Sequence, residues 1–404
     1  MASLPRAAAM SAPSAPSSAS NQRTPREIAT FVIVLLLLVL YPIIDQQFGF
    51  GLLGAILPIG IYALLAMGLN IVVGYAGLLD LGYAAFFAIG AYTVGFLTSP
   101  ASVFVRAGVV PNWLQQFWPA LVVAFVVSAI FGVLLGAPTL RLRGDYLAIV
   151  TLGFGEIVPN FFLNAVPLTG GTRGINPIAK PPPLGPLTFG QTDQRNWYWL
   201  ILFVGCVSVF MILRMYNSRL GRSWQAIRED ELAASSMGIN LVRTKLWAFA
   251  LGASFSGFAG SLYSSAFQYV HPSQFEFTLS ILILSSVILG GIGNVYGAIA
   301  GAFIIGSFDR ILAERLTGPI NALGERIGNQ FLATHNVGED RYLVFGLALV
   351  LMMLLRPGGL FPSKQRAAEL EPEHFDIAIQ EQQDAFDVRI HDDETPDVRG
   401  GQVA

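Results

Sequence analysis

Five polar residues lie in or beside long apolar runs of this 404-residue chain, and their side chains could do chemistry there: Asn70, Asp80, Thr151, Glu156 and Asn160. Polar groups inside membrane-spanning segments are costly and often functional. The two carboxylates could bind a proton or an ion, and the set could contact the charged groups of a small zwitterion in a translocation path. For Asp80 and Glu156 we favour the alternative, in which they cap helix ends.

A second candidate is the polar, basic stretch 214–245, which separates two apolar segments. We expect a short helix that ends at Gly238, because glycine readily takes the left-handed conformation after a helix, and a second short helix after it. Small alanines would let another protein approach closely, and charged residues would offer contacts. The candidate contact residues are Arg228, Glu231, Ala233, Ala234 and Gly238. An ordinary solvated loop remains the alternative.

The composition places the elements that carry these residues in a lipid bilayer. The chain is 53% hydrophobic and 12% charged, against roughly 25% charged in soluble domains. Runs of suitable length predict an all-α, polytopic membrane protein with about ten transmembrane or half-membrane helices. They are 28–44, 52–73, 78–97, 118–138, 146–163, 197–213, 246–267, 278–290, 294–308 and 342–356. We expect three of these segments to be half-helices or broken helices. They are 146–163, which Pro159 interrupts, and the pair 278–290 and 294–308. A broken 146–163 would turn Thr151, Glu156 and Asn160 toward the pore.

Lysine and arginine predict the orientation. They cluster before the first span, after the fourth, in 214–245 and after the last, which places these regions and both termini in the cytoplasm. The first apolar run is too long for a signal peptide and is expected to be a retained helix. The predicted domains are a disordered cytoplasmic tail 1–27, a transmembrane domain 28–362 with a non-cytoplasmic insert 309–341, and an acidic cytoplasmic tail 363–404 with a short helix near 375–386.

Glycines are frequent, and most are expected to let helices pack closely or bend. The glycines assigned this role are Gly74, Gly77, Gly90, Gly290, Gly291 and Gly293. They are not a nucleotide loop, since no G-x4-G-K-[ST] sequence occurs in the chain. One cysteine and four separated histidines predict neither a disulfide nor a metal site. No His-Asp or Cys-His constellation supports an integral membrane enzyme.

Several blocks resemble permeases of branched-chain amino acid ABC importers, of the LivM type. The blocks are 68–92, 144–156, 169–174, 289–293 and 356–361, and the loop 221–231. The stretch 214–245 is similar to the coupling loop, whose general motif is Glu-Ala-Ala, three residues, then Gly. Ala233, Ala234 and Gly238 fit this spacing, but Leu232 occupies the Glu position and Glu231 comes one residue early, a departure typical of this group. The resemblance covers about 28–362.

The resemblance implies a permease in the bacterial inner membrane that pairs with a second, related permease. Two cytoplasmic ATPases would each hold one coupling loop, and an extracytoplasmic binding protein would deliver leucine, isoleucine or valine. ATP would be used by the partners, with no cofactor on this chain and no nucleic acid partner. Urea or short amides are alternative substrates. A different class, an ion-coupled secondary transporter using Asp80 or Glu156, also stays open.

Overall fold

The chain is helical in the part that the computed structural model describes. That part comprises residues 25–49, 51–139, 145–183, 185, 187–190, 193–327, 338, 340–356 and 358–362. No β-strand occurs there, and one isolated antiparallel bridge joins Ile175 and Val270. The chain divides into two compact units, residues 1–50 and 51–404. The predicted all-α class is therefore confirmed for these residues.

The first unit contains α1, and all other helices belong to the second. The helices are α1 (Pro25–Phe48), α2 (Leu53–Leu69), α3 (Tyr83–Thr98), α4 (Val103–Arg106), α5 (Phe117–Thr139), α6 (Asp145–Asn164), α7 (Val166–Thr169), α8 (Gln194–Tyr216), α9 (Arg219–Glu229), α10 (Glu231–Ser236), α11 (Leu241–Phe267), α12 (Phe277–Gly290), α13 (Val295–Ser307), α14 (Ala313–Ile327) and α15 (Arg341–Leu355). Single turns of π-helix extend α2 (Asn70–Tyr75) and α13 (Phe308–Leu312). Turns of 3₁₀-helix are Gly171–Arg173 and Pro272–Phe275.

Seven helical segments of the described chain are long and apolar enough to cross a membrane, so the predicted count of ten is not confirmed. They are Leu53–Tyr75, Tyr83–Arg106, Phe117–Pro138, Tyr146–Asn164, Gln194–Tyr216, Pro272–Gly290 and Val295–Leu312. The apolar helix Leu36–Phe48 within α1, and α15, are shorter. Helix α11 has 27 residues, but its many serines and glycines make it less apolar than these seven.

Three predictions about local structure need correction. Helix α6 is continuous through Pro159, because a membrane helix tolerates the loss of one backbone donor when the bonds on either side persist. The segments around 278–308 each reach the length of a span once their adjoining 3₁₀ or π turn is included. No second short helix follows α10 before α11 begins at Leu241; the additional helix of the loop, α9, precedes it instead.

The predicted tails lie largely outside the described residues. Helix α1 begins at Pro25, so it takes the last three residues of the predicted tail 1–27. The acidic segment 363–404, with its predicted helix near 375–386, is not described. The insert 309–341 contains α14, while its residues 328–337 and 339 lie outside the description.

Helix α11 forms the centre of the second unit and packs against α5, α3 and α2. Close approach depends on small residues: a methyl group at Gly90 of α3 would overlap the backbone of Gly257, and one at Gly257 would overlap the Ser128 side chain of α5. Small residues at such contacts let helix backbones approach, which is the usual means of association where lipid removes the hydrophobic driving force. The packing role predicted for Gly90 agrees with this geometry.

Candidate functional site

The polar stretch 214–245 folds into two helices that are anchored to the spans beside them. Ser218 caps α9 by accepting a hydrogen bond from Gly221 N at 3.4 Å. One face of α9 is buried and carries Trp224 and Ile227. The indole Nε1 of Trp224 donates to the carbonyl of Thr244 in α11 at 2.8 Å. Helix α9 is therefore held against the start of α11 by apolar burial and by a satisfied polar contact.

Helix α10 is short but is stabilised at both ends. The Asp230 carboxylate accepts from Leu232 N at 2.7 Å and from Ala233 N at 3.0 Å, which satisfies two free donors of the first turn. At the other end Gly238 has φ +84°. There Ile239 N donates to Ala234 O at 3.1 Å and Gly238 N to Ser235 O at 3.0 Å, the paired bonds of a Schellman motif. The predicted helix end at Gly238 is confirmed.

The predicted contact residues of α10 divide between two faces. Ala234 is buried, whereas Ala233 is exposed. Glu231 pairs with Lys245 of α11 at 2.5 Å, so this carboxylate fixes α10 to the start of α11. The apolar side chains of Leu232 and Met237 are 71% and 84% exposed. A capped, anchored helix with large apolar side chains in the open has the features of a protein docking surface.

Arg228 connects α9 to the end of α2. Its Nη1 donates to the carbonyl of Gly74 at 2.5 Å. Its Cγ lies 3.1 Å from the position that a Cβ on Gly77 would take, and Gly77 itself has φ +69°. Glycine is therefore favoured at position 74, where a side chain would overlap Asn70, and at position 77, where φ is positive.

Asn70 extends this connection to the junction of α12 and α13. It is fully buried in the π turn, a feature often found at functional sites. Its Oδ1 accepts from Gly293 N at 2.9 Å. A Cβ on Gly74 would overlap this Oδ1 and lie 2.7 Å from Gly293 N. Thus Arg228, Gly74, Asn70 and Gly293, four residues singled out in the sequence, form one chain of contacts from α9 to the α12–α13 junction.

The junction itself depends on glycine. Gly291 and Gly293 have φ +122° and +86°, values that other residues rarely adopt. A Cβ on Gly290 would overlap the carbonyl of Gly297, so α12 and α13 approach closely there. The segment after α15 also packs here, since Phe361 N donates to Gly290 O at 2.9 Å.

Thr151 of α6 binds the segment before α3, and Asp80 folds that segment into a turn. Gly82 N donates to Asp80 Oδ1 at 2.9 Å, and Leu81 N donates to Thr151 Oγ1 at 3.1 Å. Asp80 lies in the connection between two spans, is buried, and has no partner for Oδ2 within the described chain. Burial raises the pKa of its carboxyl to about 7. The bond from Gly82 N to Asp80 closes a turn just before α3 and does not cap the helix, whose N-cap residue Gly82 makes no side-chain cap bond. The helix-cap role favoured from the sequence is therefore wrong for Asp80, and also for Glu156, which lies in the interior of α6.

Glu156 and Asn160 lie on a different face of α6 from Thr151, so the prediction that all three face one pore is wrong. Positions 151 and 160 are nine residues apart, which places them about 180° apart around a continuous helix. Thr151 is buried, while Glu156, Asn160 and Asn164 are exposed. With Ile157 and Phe161 they line a shallow depression of about 320 Å³.

Two residues that anchor the loop were missed from the sequence, Trp224 and Lys245. Both belong to the polar stretch but are buried. The spacing of Trp224 and Ile227 along an otherwise polar segment is the amphipathic signal that would have predicted α9. Lys245 gives no such signal, because its burial depends on the ion pair with Glu231.

Comparison with known proteins gives a consistent result. Residues 51–353 match the family described as branched-chain amino acid transport system, permease component. The chain is 38% identical to the high-affinity branched-chain amino acid transport system permease proteins LivM of Salmonella typhimurium and Escherichia coli, over 77% of this chain and 70% of each relative. It is 26% identical to the permease protein LivH of Escherichia coli, over 74% of this chain and 90% of that protein. No solved structure matches the chain.

Proposed function

Because the chain belongs to the branched-chain amino acid transport permease family, we propose that it is one of two permease subunits of an ATP-driven importer for leucine, isoleucine and valine. Its relatives include both LivM and LivH, which supports a pair of related permeases. Two cytoplasmic ATPases and an extracytoplasmic binding protein complete the assembly. The partners bind and hydrolyse ATP, and this chain binds no cofactor and makes or breaks no covalent bond.

The observation that carries this proposal is the construction of α10. A short helix in a polar loop would fray without support. Here it is capped by Asp230, ended by Gly238 and tied to α11 through Glu231, yet Leu232 and Met237 face outward. We assign these outward side chains to contact with an ATPase. The basic residues of 214–245 support a cytoplasmic position for this loop, and both termini lie on the same side in this proposal.

The proposed mechanism uses the contacts of Arg228. ATP binding draws the two ATPases together and moves the α9–α10 unit with them. Arg228 transmits this movement to the carbonyl of Gly74, and Asn70 transmits it to Gly293. The α12–α13 junction, built from glycines with left-handed backbone, is the element that rearranges. The spans then change access from the outside to the inside.

Uptake of labelled leucine into membrane vesicles, supplied with the purified binding protein, tests this function. We expect uptake that requires ATP, persists when the proton gradient is abolished, and is inhibited by isoleucine and valine. Inhibition by urea or acetamide instead would change the substrate and leave the ATP-driven class intact. Uptake that proceeds without ATP and follows an imposed proton gradient would establish a secondary transporter.

A further inference from the structure

One exposed face of α6 differs from the other exposed faces of the spans. Glu156 lies ten residues after the start of the span Tyr146–Asn164 and eight before its end, so its carboxylate is near the middle. Asn160 and Asn164 follow at intervals of one turn. We call Glu156, Asn160 and Asn164 the α6 polar stripe.

Within the described residues, the hydrogen bonds of the polar stripe stay on its own helix. Asn160 Nδ2 donates to Glu156 O, and Asn164 Nδ2 to Asn160 O, both at 2.8 Å. Each of these bonds uses one amide donor of an asparagine and a backbone carbonyl of the same helix. Among the described residues, no hydrogen bond or ion pair reaches the carboxylate of Glu156. The buried side of α6, by contrast, packs Phe162 against Tyr92 of α3 with ring centroids 3.9 Å apart.

Lipid is a poor cover for such a stripe. A carboxylate near the middle of a span is costly in hydrocarbon, and such groups almost always face protein or a water-filled cavity. The exposed side chains of α5 and of the span interior of α8 show what a lipid-facing surface looks like in this protein. They are apolar throughout, for example Val126 and Ile130 on α5 and Phe203 and Phe210 on α8.

A protein with a similar face is a better cover. The stripe is bordered by exposed apolar side chains, Ile149, Ile157 and Phe161, which a packed partner would bury. The polar atoms would remain at the seam between the two proteins. The similarity to both LivM and LivH indicates that two related permeases can share this architecture, so each could offer its own α6 to the other.

We propose that the α6 polar stripe packs against the second, related permease and lines a water-accessible path at their interface. This inference rests on the proposed pairing and adds the face by which the two chains meet. The apolar border makes the contact, and Glu156 and Asn160 provide the polar wall of the path.

Photo-cross-linking identifies what covers the stripe. A benzophenone amino acid is placed at Phe161, which is 56% exposed beside the stripe, and in a matched variant at Phe210, which is 69% exposed on α8. Each variant is irradiated in native membranes with all subunits present. We expect Phe161 to yield a protein adduct with the second permease and Phe210 to yield none. Adducts with lipid alone at both positions, or an adduct with a second copy of this chain at Phe161, would overturn the inference.

Thiol labelling tests the water-accessible path separately, and remains informative if the bulky probe disturbs folding. In a Cys206→Ser background, which removes the one native cysteine, Asn160→Cys and Phe210→Cys are treated with a membrane-impermeant maleimide. We expect Asn160→Cys to react at least tenfold faster. Equal, slow labelling would contradict the path. Leucine uptake is measured on the same membranes. If uptake requires ATP but only lipid adducts form, the interface is refuted and the proposed function stands. If uptake does not require ATP, the proposed function itself is refuted.

Discussion

Replacement of Arg228 by alanine should separate ATP hydrolysis from transport. The substitution removes the hydrogen bond from Nη1 to Gly74 O and leaves the outward face of α10, with Leu232 and Met237, unchanged. A hydrogen bond from a charged donor contributes about 2 kcal/mol, which corresponds to about 30-fold in an equilibrium. If this bond carries movement into the spans, ATP-driven leucine uptake should fall by up to this factor.

The assay compares leucine uptake with ATP hydrolysis in proteoliposomes that contain the whole transporter. For Arg228→Ala we expect hydrolysis within about twofold of wild type and strongly reduced uptake. Arg222→Ala is the matched control, because Arg222 is an exposed arginine of the same helix whose bond goes to Asn217 O within the loop. Equal uptake by the two variants, or a parallel loss of uptake and hydrolysis in Arg228→Ala, would refute the proposed transmission.

Three further substitutions test the packing and the loop. Gly90→Ala should lower the free energy of unfolding in detergent by about 1–3 kcal/mol, because the added methyl group overlaps α11. Gly153→Ala is the control, since a methyl group there meets open space. Equal melting curves for the two variants would contradict the packing role of Gly90. Asn70→Leu should reduce both leucine uptake and stability, because Gly293 N loses its acceptor. Asn70→Asp retains an acceptor and should keep more uptake and stability than Asn70→Leu. Higher uptake and stability in Asn70→Leu than in Asn70→Asp would count against the contact. Gly238→Val should reduce the amount of ATPase that co-purifies, because a φ of +84° strains a branched residue. Gly238→Asn should reduce it less, since asparagine tolerates this conformation better. Equal amounts of ATPase with both variants would argue against a structural role for this turn.

Much of the fold could be predicted because hydrophobic length is a strong signal in membranes. The predicted span 118–138 and α5 nearly coincide, as do 278–290 and α12. The prediction of a broken helix at 146–163 was wrong for an identifiable reason. Pro159 suggested an interrupted helix, but surrounding protein and the remaining hydrogen bonds keep α6 continuous. Helix α11 satisfies the length of a span, yet its buried serines and glycines make its hydropathy ambiguous.

The candidate site was predictable in its parts and not in its arrangement. The order of Asp230, the alanines and Gly238 is a local pattern, and it correctly predicted α10. The contact of Arg228 with Gly74 joins residues 154 positions apart, and no local pattern contains such a pairing. Likewise, the sequence predicts that Thr151 and Glu156 lie on different faces of α6 only if the helix is known to be continuous.

Purification of the full chain from native membranes in mild detergent is the most direct test of ATPase docking through α10. Wild-type protein should bring with it an ATPase and a second permease. Met237→Asp, which places a charge at the most exposed apolar side chain of the loop, should lose the ATPase but retain the permease. Val109→Asp, at an exposed valine outside the loop, should retain both. Full recovery of the ATPase with Met237→Asp, or no ATPase with any form of the protein, would contradict the account.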